Sequence, residues 1–355
     1  MKKIRFGVIG TGWRALFYVR AAQYLPEYFE LTGVLTRSQE RAKEFEETHG
    51  VRAFTDFDAL LETKPEFIVS CVTKAAMTDT VIRLLKSGMP ALAETPLATD
   101  EEGLRRVYDA WKRTGVTLQL AEQYFLYPSH RARQALIEQG VLGEVTTCYL
   151  TMMHDYHAVS MFRRFLCGDD SMVAIRAQEV QYDIINTGDR SGYLTDGRKG
   201  FERRMVAQIV DKRGKLGVYN FSGTQYHSAI RSNHVQILGM RGEIFDDEVR
   251  YLLADNRPAR AMLEYRRDEM TGTIRAIDFD GMRIYENPFR TDVAMTQDDI
   301  AVSTLLVKMG AAVRDGKLFY PMAQAFRDGY LSWQLHEAAQ TGKTVVCGRM
   351  PWDDA

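Results

Sequence analysis

The chain has 355 residues and a formal net charge of −1 with interspersed signs. That length predicts about two domains with a sizeable core, and the charge balance argues against a nucleic-acid or membrane surface. No run approaches the roughly 18 apolar residues of a membrane span, and Met1-Lys2-Lys3 leads into the first strand without a signal peptide, so a cytoplasmic setting is expected. In chain order, the apolar strand Ile4–Ile9 ends in Gly10-Thr11-Gly12-Trp13-Arg14-Ala15, and a helical pattern follows from 13 to about 25. Strands over 31–36, 67–73, 90–94 and 116–121 then alternate with helices over 39–48, up to Lys86, and over 100–113. This alternation predicts a parallel sheet covered by helices on both sides.

The pattern changes after about Tyr124. A helix over 129–139 ends at Gly140, and strand-like runs follow at 144–153, 173–182, 204–210, 215–221, 233–238, 260–265 and 273–279. Few helices intervene, so an antiparallel sheet with one covered face is expected. Helices return over 297–314 and 322–339. The fold class is therefore α/β: an N-terminal Rossmann dinucleotide-binding domain over 1–124, then an α+β domain over 125–355. That second domain has a large open, mainly antiparallel sheet for substrate binding and oligomerisation. Residues 186–200, rich in glycine, aspartate and arginine, read as a mobile loop.

The turn after the first strand carries the cofactor chemistry. Gly10 makes the tight exit from the strand, Gly12 lets backbone approach a pyrophosphate, and the small Ala15 allows close helix packing. Thr11, Trp13 and Arg14 complete this turn, and the helix that follows presents unpaired N–H groups to phosphates. At the end of the second strand, an NAD-preferring site would place a carboxylate near Thr36 for the ribose 2′-hydroxyl. Thr36-Arg37-Ser38 offers a cation and a hydroxyl instead. These suit a 2′-phosphate, so NADP is favoured over NAD, while an Arg37 stacked on adenine would serve either cofactor.

Four landmarks give the chain a family resemblance over essentially its whole length. They are Gly10-x-Gly12-x-x-Ala15, Ala93-Glu94-Thr95-Pro96, Ala121-Glu122-Gln123-Tyr124 with Pro128, and Gly140-x-x-Gly143-Glu144-Val145. With the closing Thr341-Gly342-Lys343, the chain resembles the glucose–fructose oxidoreductase/inositol dehydrogenase/MocA family. The resemblance implies a Rossmann domain followed by an open-sheet domain, with a carbohydrate-like substrate held over the nicotinamide between them. It also implies hydride transfer at a carbinol carbon of a sugar, glycoside or polyol, and a homodimer or homotetramer. Glu94 is expected near the nicotinamide ribose. Thr73, Lys74, Thr95 and Gln123 are expected beside the cofactor, and Tyr124 beside substrate.

The departures from that pattern matter as much. Where the family carries Glu-Lys-Pro, with a lysine that polarises the reacting oxygen, this chain has Glu94-Thr95-Pro96, and Thr95 has no ammonium. Thr73-Lys74 stands where Thr-Pro is usual, and Lys74 could supply the missing charge or point to solvent. The segment His154-Asp155-Tyr156-His157 is the catalytic candidate, because hydride transfer needs a group to take the hydroxyl proton and histidine suits that task. By family position His157 is the base, with Tyr156 or His154 as helper and Asp155 as an orienting carboxylate. An extended segment would put His154 and Tyr156 on one face, and a helical one would put His154 with His157. No metal is expected, because neither the cysteines nor the histidines show ligand spacing. Arg190 and Tyr193, in the loop with Asp189, and the pair Tyr226-His227 are substrate-contact candidates, and residues 319–321 could also reach the cleft. Besides the dehydrogenase or reductase, two further readings stand. One is a glycosidase that uses tightly bound NAD in transient oxidation and elimination. The other is a non-catalytic dinucleotide-dependent regulator.

Overall fold

The computed structural model describes residues 2–167 and 172–354. Its first half follows the expected alternation: β1 (Ile4–Ile9), α1 (Ala15–Tyr24), β2 (Phe29–Leu35), α2 (Gln39–His49), β3 (Ala53–Phe54), α3 (Phe57–Glu62), β4 (Phe67–Ser70), α4 (Lys74–Lys86), β5 (Ala91–Ala93), α5 (Glu101–Thr114) and β6 (Leu118–Leu120). The strands form one parallel sheet in the order β3-β2-β1-β4-β5-β6, the doubly wound arrangement. Strand β4 is buried along its whole length, as a central strand covered on both faces must be. It is shorter than the apolar run that encodes it. Cys71, Val72 and Thr73 leave the ladder after Ser70 and line the site instead. The pair β3 and α3 is absent from the sequence reading because a two-residue strand and a six-residue helix carry almost no periodicity. Their local signals are the caps: Gly50 ends α2 in the left-handed region, and Asp56 accepts from the Ala59 N–H to start α3.

After a short 3₁₀ turn over Tyr124–Leu126 come α6 (Pro128–Glu138), β7 (Val145–Leu150) and α7 (Asp155–Leu166). A long series of strands follows: β8 (Met172–Ile185), β9 (Gly188–Asp189), β10 (Gly192–Tyr193), β11 (Lys199–Asp211), β12 (Leu216–Ser222), β13 (Val235–Gly239), β14 (Gly242–Phe245), β15 (Glu248–Leu252), β16 (Pro258–Arg267), β17 (Ile274–Phe279) and β18 (Met282–Glu286). The chain closes with α8 (Gln297–Asp315), α9 (Met322–Thr341) and β19 (Val345–Val346). Eleven strands make one open sheet in the order β18-β17-β16-β15-β14-β13-β7-β12-β11-β8-β19. Its neighbours run antiparallel except β7 and β12. The short hairpin strands β14, β15 and β18 were not foreseen, because each is only four or five residues long with little clean alternation. Within residues 186–200, β9 and β10 pair as a small hairpin, and β11 begins at Lys199.

Helices cover one face of this sheet, α7 against β7 and β12, α6 against β17 and β18, and α9 against β8. The last two helices also return to the first sheet, where α8 packs on α1 and β1, and α9 packs on α5 and β6. Gln119, fully buried in β6, ties that return down. Its amide accepts from the Phe319 and Tyr320 N–H groups (3.1 and 3.0 Å) and donates to the Tyr320 carbonyl (2.9 Å). Tyr320 is thereby held in the core beside Arg163 and Asp328, so residues 319–321 do not line the cleft as expected.

Candidate active site

The carboxyl ends of β1, β4, β5 and β6 face α7 and the 188–193 hairpin across two adjoining cavities. The first, about 680 Å³, is lined by Gly10, Thr11 and Gly12, by Thr36, Arg37 and Ser38, and by Arg41. The second, about 920 Å³, holds Lys74, Glu94, Thr95, Gln123, Tyr124, His154, Tyr156 and His157. Trp13, Arg14, Cys71, Val72 and Thr73 border both cavities. A ligand can therefore run from the glycine turn into the polar chamber.

The glycine turn fits a dinucleotide. Gly10 sits at φ +110, and a Cβ there would lie 2.5 Å from the Cys71 carbonyl oxygen, so only glycine lets β1 turn this close to β4. A Cβ on Gly12 would meet nothing within 4 Å. Its direction is open groove, the space a pyrophosphate needs against bare backbone. Ala15 is fully buried beneath the first turn of α1. At the far end of the groove, Ser38 caps α2 by accepting from the Arg41 N–H (3.3 Å), which brings Arg41 beside Arg37. Arg41 was missed because it lies inside an ordinary charged helix.

The His154–His157 segment is neither wholly extended nor wholly helical: His154 is extended and Asp155–His157 form the first turn of a helix. Met153 takes a left-handed conformation (φ 63) that turns the chain out of β7, and α7 starts at Asp155 with His154 at its N-cap. His154, Tyr156 and His157 all line the chamber, with ring centroids 5.7 Å apart for His154–Tyr156 and 4.4 Å for Tyr156–His157. Asp155 does not join them. It pairs with His336 of α9 and donates no orientation to the tetrad's own histidines. The carboxylate beside His157 is Glu122, whose Oε2 lies 2.6 Å from Nδ1, while its Oε1 accepts from the Tyr124 N–H at 3.1 Å. Both side chains are buried, 7% and 2% exposed. A carboxylate accepting at Nδ1 fixes the proton there and leaves the Nε2 lone pair to act as a base. Burial, with the neighbouring His157 second, lowers His154 to about 4, so His154 stays neutral at physiological pH.

Phenols surround these imidazoles. Tyr124 lies 4.5 Å from His157 by ring centroids, and the Tyr226 hydroxyl accepts from the His154 N–H (3.0 Å) and from the Tyr124 hydroxyl (3.4 Å). Burial pushes Tyr124 and Tyr156 well above the usual phenol range, so both remain donors. The Lys74 ammonium reaches the same wall, 5.4 Å from the Tyr156 ring centroid. Thr95 faces the chamber without a charge. Arg190 and His227 also line it, and the Arg190 guanidinium lies 4.6 Å over the Trp13 ring, so the β9–β10 hairpin meets the glycine turn across the opening. Tyr193, at 84% exposure, points elsewhere.

Arg14 is the hub between the two halves. It donates from Nε to Glu94 (2.9 Å) and from Nη1 to Asp298 at the start of α8 (2.9 and 3.0 Å). Tyr18 donates to the same Glu94 at 2.5 Å. With its amide turned to satisfy both ends, Gln123 accepts from Arg14 Nη2 (3.2 Å) and donates to the Ala121 carbonyl (3.0 Å). Burial opposes the Arg14 charge, yet Glu94 and Asp298 together raise it well above its ordinary value. Glu94 is therefore spoken for by Arg14 and Tyr18, at the rim where a nicotinamide ribose was expected. Asp298 was not foreseen, because Thr296-Gln297-Asp298-Asp299 has the composition of a helix cap, which it also is. Among the described residues, no three His, Cys, Asp or Glu side chains are grouped to hold a metal, and no helix is long and apolar enough to cross a membrane.

Residues 4–122 match the model of a family described as an oxidoreductase family with an NAD-binding Rossmann fold. A dTDP-3,4-didehydro-2,6-dideoxy-alpha-D-glucose 3-reductase from Actinomadura kijaniata is 31% identical over 146 residues, 40% of this chain and 43% of the reductase. The shared region thus spans less than half of that relative. The scyllo-inositol 2-dehydrogenase (NADP(+)) IolU of Bacillus subtilis is 28% identical over 276 residues, 74% of this chain and 80% of that enzyme. The solved structure of a levoglucosan dehydrogenase with NADH and levoglucosan superposes with a TM-score of 0.72 at 15% identity, over 98% of this chain and 100% of the other, a likeness of fold. With residues 4–122 matched and a dehydrogenase aligned beyond them into the open-sheet domain, the chain is similar to oxidoreductases of the glucose–fructose oxidoreductase/inositol dehydrogenase/MocA (Gfo/Idh/MocA) family.

Proposed function

We propose that this protein is an NAD(P)-dependent dehydrogenase or reductase acting on a carbinol carbon of a sugar, glycoside or polyol. The observation that carries the reading is the Glu122–His157 pair, set in a chamber that opens directly into the dinucleotide groove. Gly10 to Arg14 and Thr73 would hold the dinucleotide, and its nicotinamide, when bound, would give or take the hydride. His157 Nε2 takes the proton of the reacting hydroxyl, and Glu122 stabilises the imidazolium that results. Tyr156 and Tyr124 donate hydrogen bonds, and the rings of His154, Tyr156 and Tyr226 offer flat apolar faces to the C–H side of a polyol. Lys74 supplies the positive charge that Thr95 cannot.

NADP is the favoured cofactor. Arg37 and Arg41 flank the end of β2 with no carboxylate at 36–38, and the aligned IolU is named as NADP-dependent. A homodimer or homotetramer fits the outer sheet face, where Val180, Tyr182 and Val206 are exposed together on β8 and β11.

Titration of the purified protein with NADH and NADPH, followed by absorbance at the nicotinamide band with inositols, hexoses and levoglucosan as probes, tests the reading. The expected result is tighter NADPH binding and turnover that disappears in His157→Ala while cofactor affinity stays near wild type. Equal turnover in that variant would remove the assignment. Cofactor that co-purifies at one per chain with no net redox change would favour the elimination chemistry, with aryl glycosides as the next probes.

A further inference from the structure

Outside the cleft, a serine, a histidine and an aspartate are hydrogen-bonded in a row on the open-sheet domain. His234 Nε2 lies 2.8 Å from Ser232 Oγ, and its Nδ1 lies 2.7 Å from Asp246 Oδ2. Ser232 and His234 belong to the segment leading into β13, and Asp246 to the turn between β14 and β15. None of the three lines the groove or the chamber, so the hydride chemistry leaves them unused.

Backbone bonds hold this row in place. The His234 N–H donates to Thr151 Oγ1 (2.9 Å), and the His234 carbonyl accepts from the Thr151 N–H (3.0 Å). Asp246 is left-handed (φ 53). Its N–H donates to the Val235 carbonyl (2.8 Å), its Oδ1 accepts from the Val235 N–H (2.9 Å), and its carbonyl accepts from Arg133 Nε (2.9 Å). A carboxylate can only accept, so in the neutral ring the proton sits on Nδ1. Nε2 then accepts, and the Ser232 hydroxyl donates to it. That polarity suits a nucleophile, its base and the carboxylate that orients the base.

Two further features suit acyl transfer. Neither the Ser232 N–H nor the Asn233 N–H bonds to another described residue, so the nucleophile and its neighbour keep donors for an oxyanion. The Phe245 ring stacks on His234, with centroids 5.4 Å apart at 22°, and is 44% exposed, an apolar face beside the base. Ser232 is exposed and the His234 side chain is 40% exposed, so a small ester reaches both.

We propose that Ser232, His234 and Asp246 form a second, hydrolytic site that cleaves small carboxylic esters whose acyl or aryl part lies on Phe245. Ser232 Oγ adds to the ester carbonyl carbon as His234 Nε2 takes the hydroxyl proton. The bond from that carbon to the leaving oxygen breaks, and the imidazolium gives its proton to the departing alcohol or phenol. Water then adds to the acyl-serine with Nε2 again as base, which releases the carboxylic acid and restores Ser232. No oxidant or dinucleotide takes part, so this activity stands apart from hydride transfer.

Phenylmethylsulfonyl fluoride, which sulfonylates an activated serine with loss of fluoride, tests the site when peptide mass spectrometry locates the label. The expected result is one label per chain on Ser232. Labelling should slow at least about tenfold in Asp246→Asn, whose oxygen keeps the Val235 N–H and whose amide N–H₂ forces the ring proton onto Nε2. Hydrolysis of 4-nitrophenyl acetate should fall at least about tenfold in Ser232→Ala, with NADPH affinity and polyol turnover unchanged. A wild-type chain without label at Ser232, or equal ester hydrolysis in Ser232→Ala, overturns the proposal. A Ser232 label that forms as fast in Asp246→Asn marks an ordinary exposed hydroxyl and overturns it too. Should Asp246→Asn fail to fold, His234→Gln removes the base and must slow labelling likewise.

Discussion

Replacing Glu122 by glutamine isolates the step on which the proposed chemistry depends. Glu122 Oε1 accepts from the Tyr124 N–H, and a glutamine can keep that bond only with its own carbonyl oxygen. The NH₂ group is then forced onto His157 Nδ1, which must accept, so the ring proton moves to Nε2 and the base is blocked. The variant also removes the charge that stabilises the imidazolium. For unit charges about 4 Å apart at an effective dielectric of about 20, that attraction is about 4 kcal/mol, or roughly 10³ in rate. This falls within the roughly 10²–10⁴ that a positioned general base contributes. The assay is kcat for oxidation of the best polyol from the probe panel, with a deuterated substrate confirming that hydride transfer limits the rate, alongside NADPH affinity. Glu122→Gln should lose about 10³ in kcat with cofactor affinity unchanged. A loss under about tenfold, with the isotope effect intact, would refute the assignment of His157 as a base oriented by Glu122.

Lys74→Met should lower kcat by roughly 10–100-fold, and Thr95→Lys in that background should restore part of it; no recovery from a folded double variant would deny that the two positions serve one chemical role. Gly10→Ala drives a Cβ into the Cys71 carbonyl at a left-handed φ, so urea unfolding should show a loss of roughly 2–4 kcal/mol. Arg37→Asp should raise the preference for NADH over NADPH at least about tenfold, or 1.4 kcal/mol, and an unchanged ratio would leave the cofactor choice to Arg41. His336→Gln concerns stability alone. The Asp155 hydrogen bond, opposed by burial, raises His336 above 6.5; burial also opposes the Asp155 charge, but the His336 contacts hold Asp155 below 3.8. The His336 contribution is complete below 6.5 and fades as pH rises through its raised value; that of Asp155 is complete above 3.8 and fades as pH falls through its lowered one. The melting temperatures of wild type and His336→Gln should differ most between about pH 4 and 6.5 and converge in alkali. A constant gap would show that the pair is held by packing.

Local sequence carried the first sheet well. A strand, two glycines and a small residue in register with a helix specify the turn at Gly10–Ala15, since each step is decided by backbone sterics within six residues. The return of α8 and α9 onto that sheet was not legible, because the buried glutamine that anchors it meets its partners some 200 positions away. The His154–His157 segment illustrates the division inside the site. Its composition marked it as chemistry-bearing, but alternation could not say whether it was strand or helix. The left-handed Met153 and the start of α7 place the change from one to the other after His154.

Charge partners divided the same way. Asp155 is adjacent to the histidines in sequence and turns away to His336, whereas Glu122 is 35 positions from His157 and holds it. Arg14 belongs by sequence to the phosphate turn and by structure also to Glu94 and Asp298. What the sequence by itself determined were features of short range: the dinucleotide turn, the alternation of elements, the absence of a carboxylate at 36–38 and the loss of lysine at Thr95. Which ionisable groups meet, and therefore which imidazole nitrogen holds the proton, was decided only by tertiary structure. A pair interaction a few ångströms long depends on where distant segments pack, and nothing local in the chain encodes that distance.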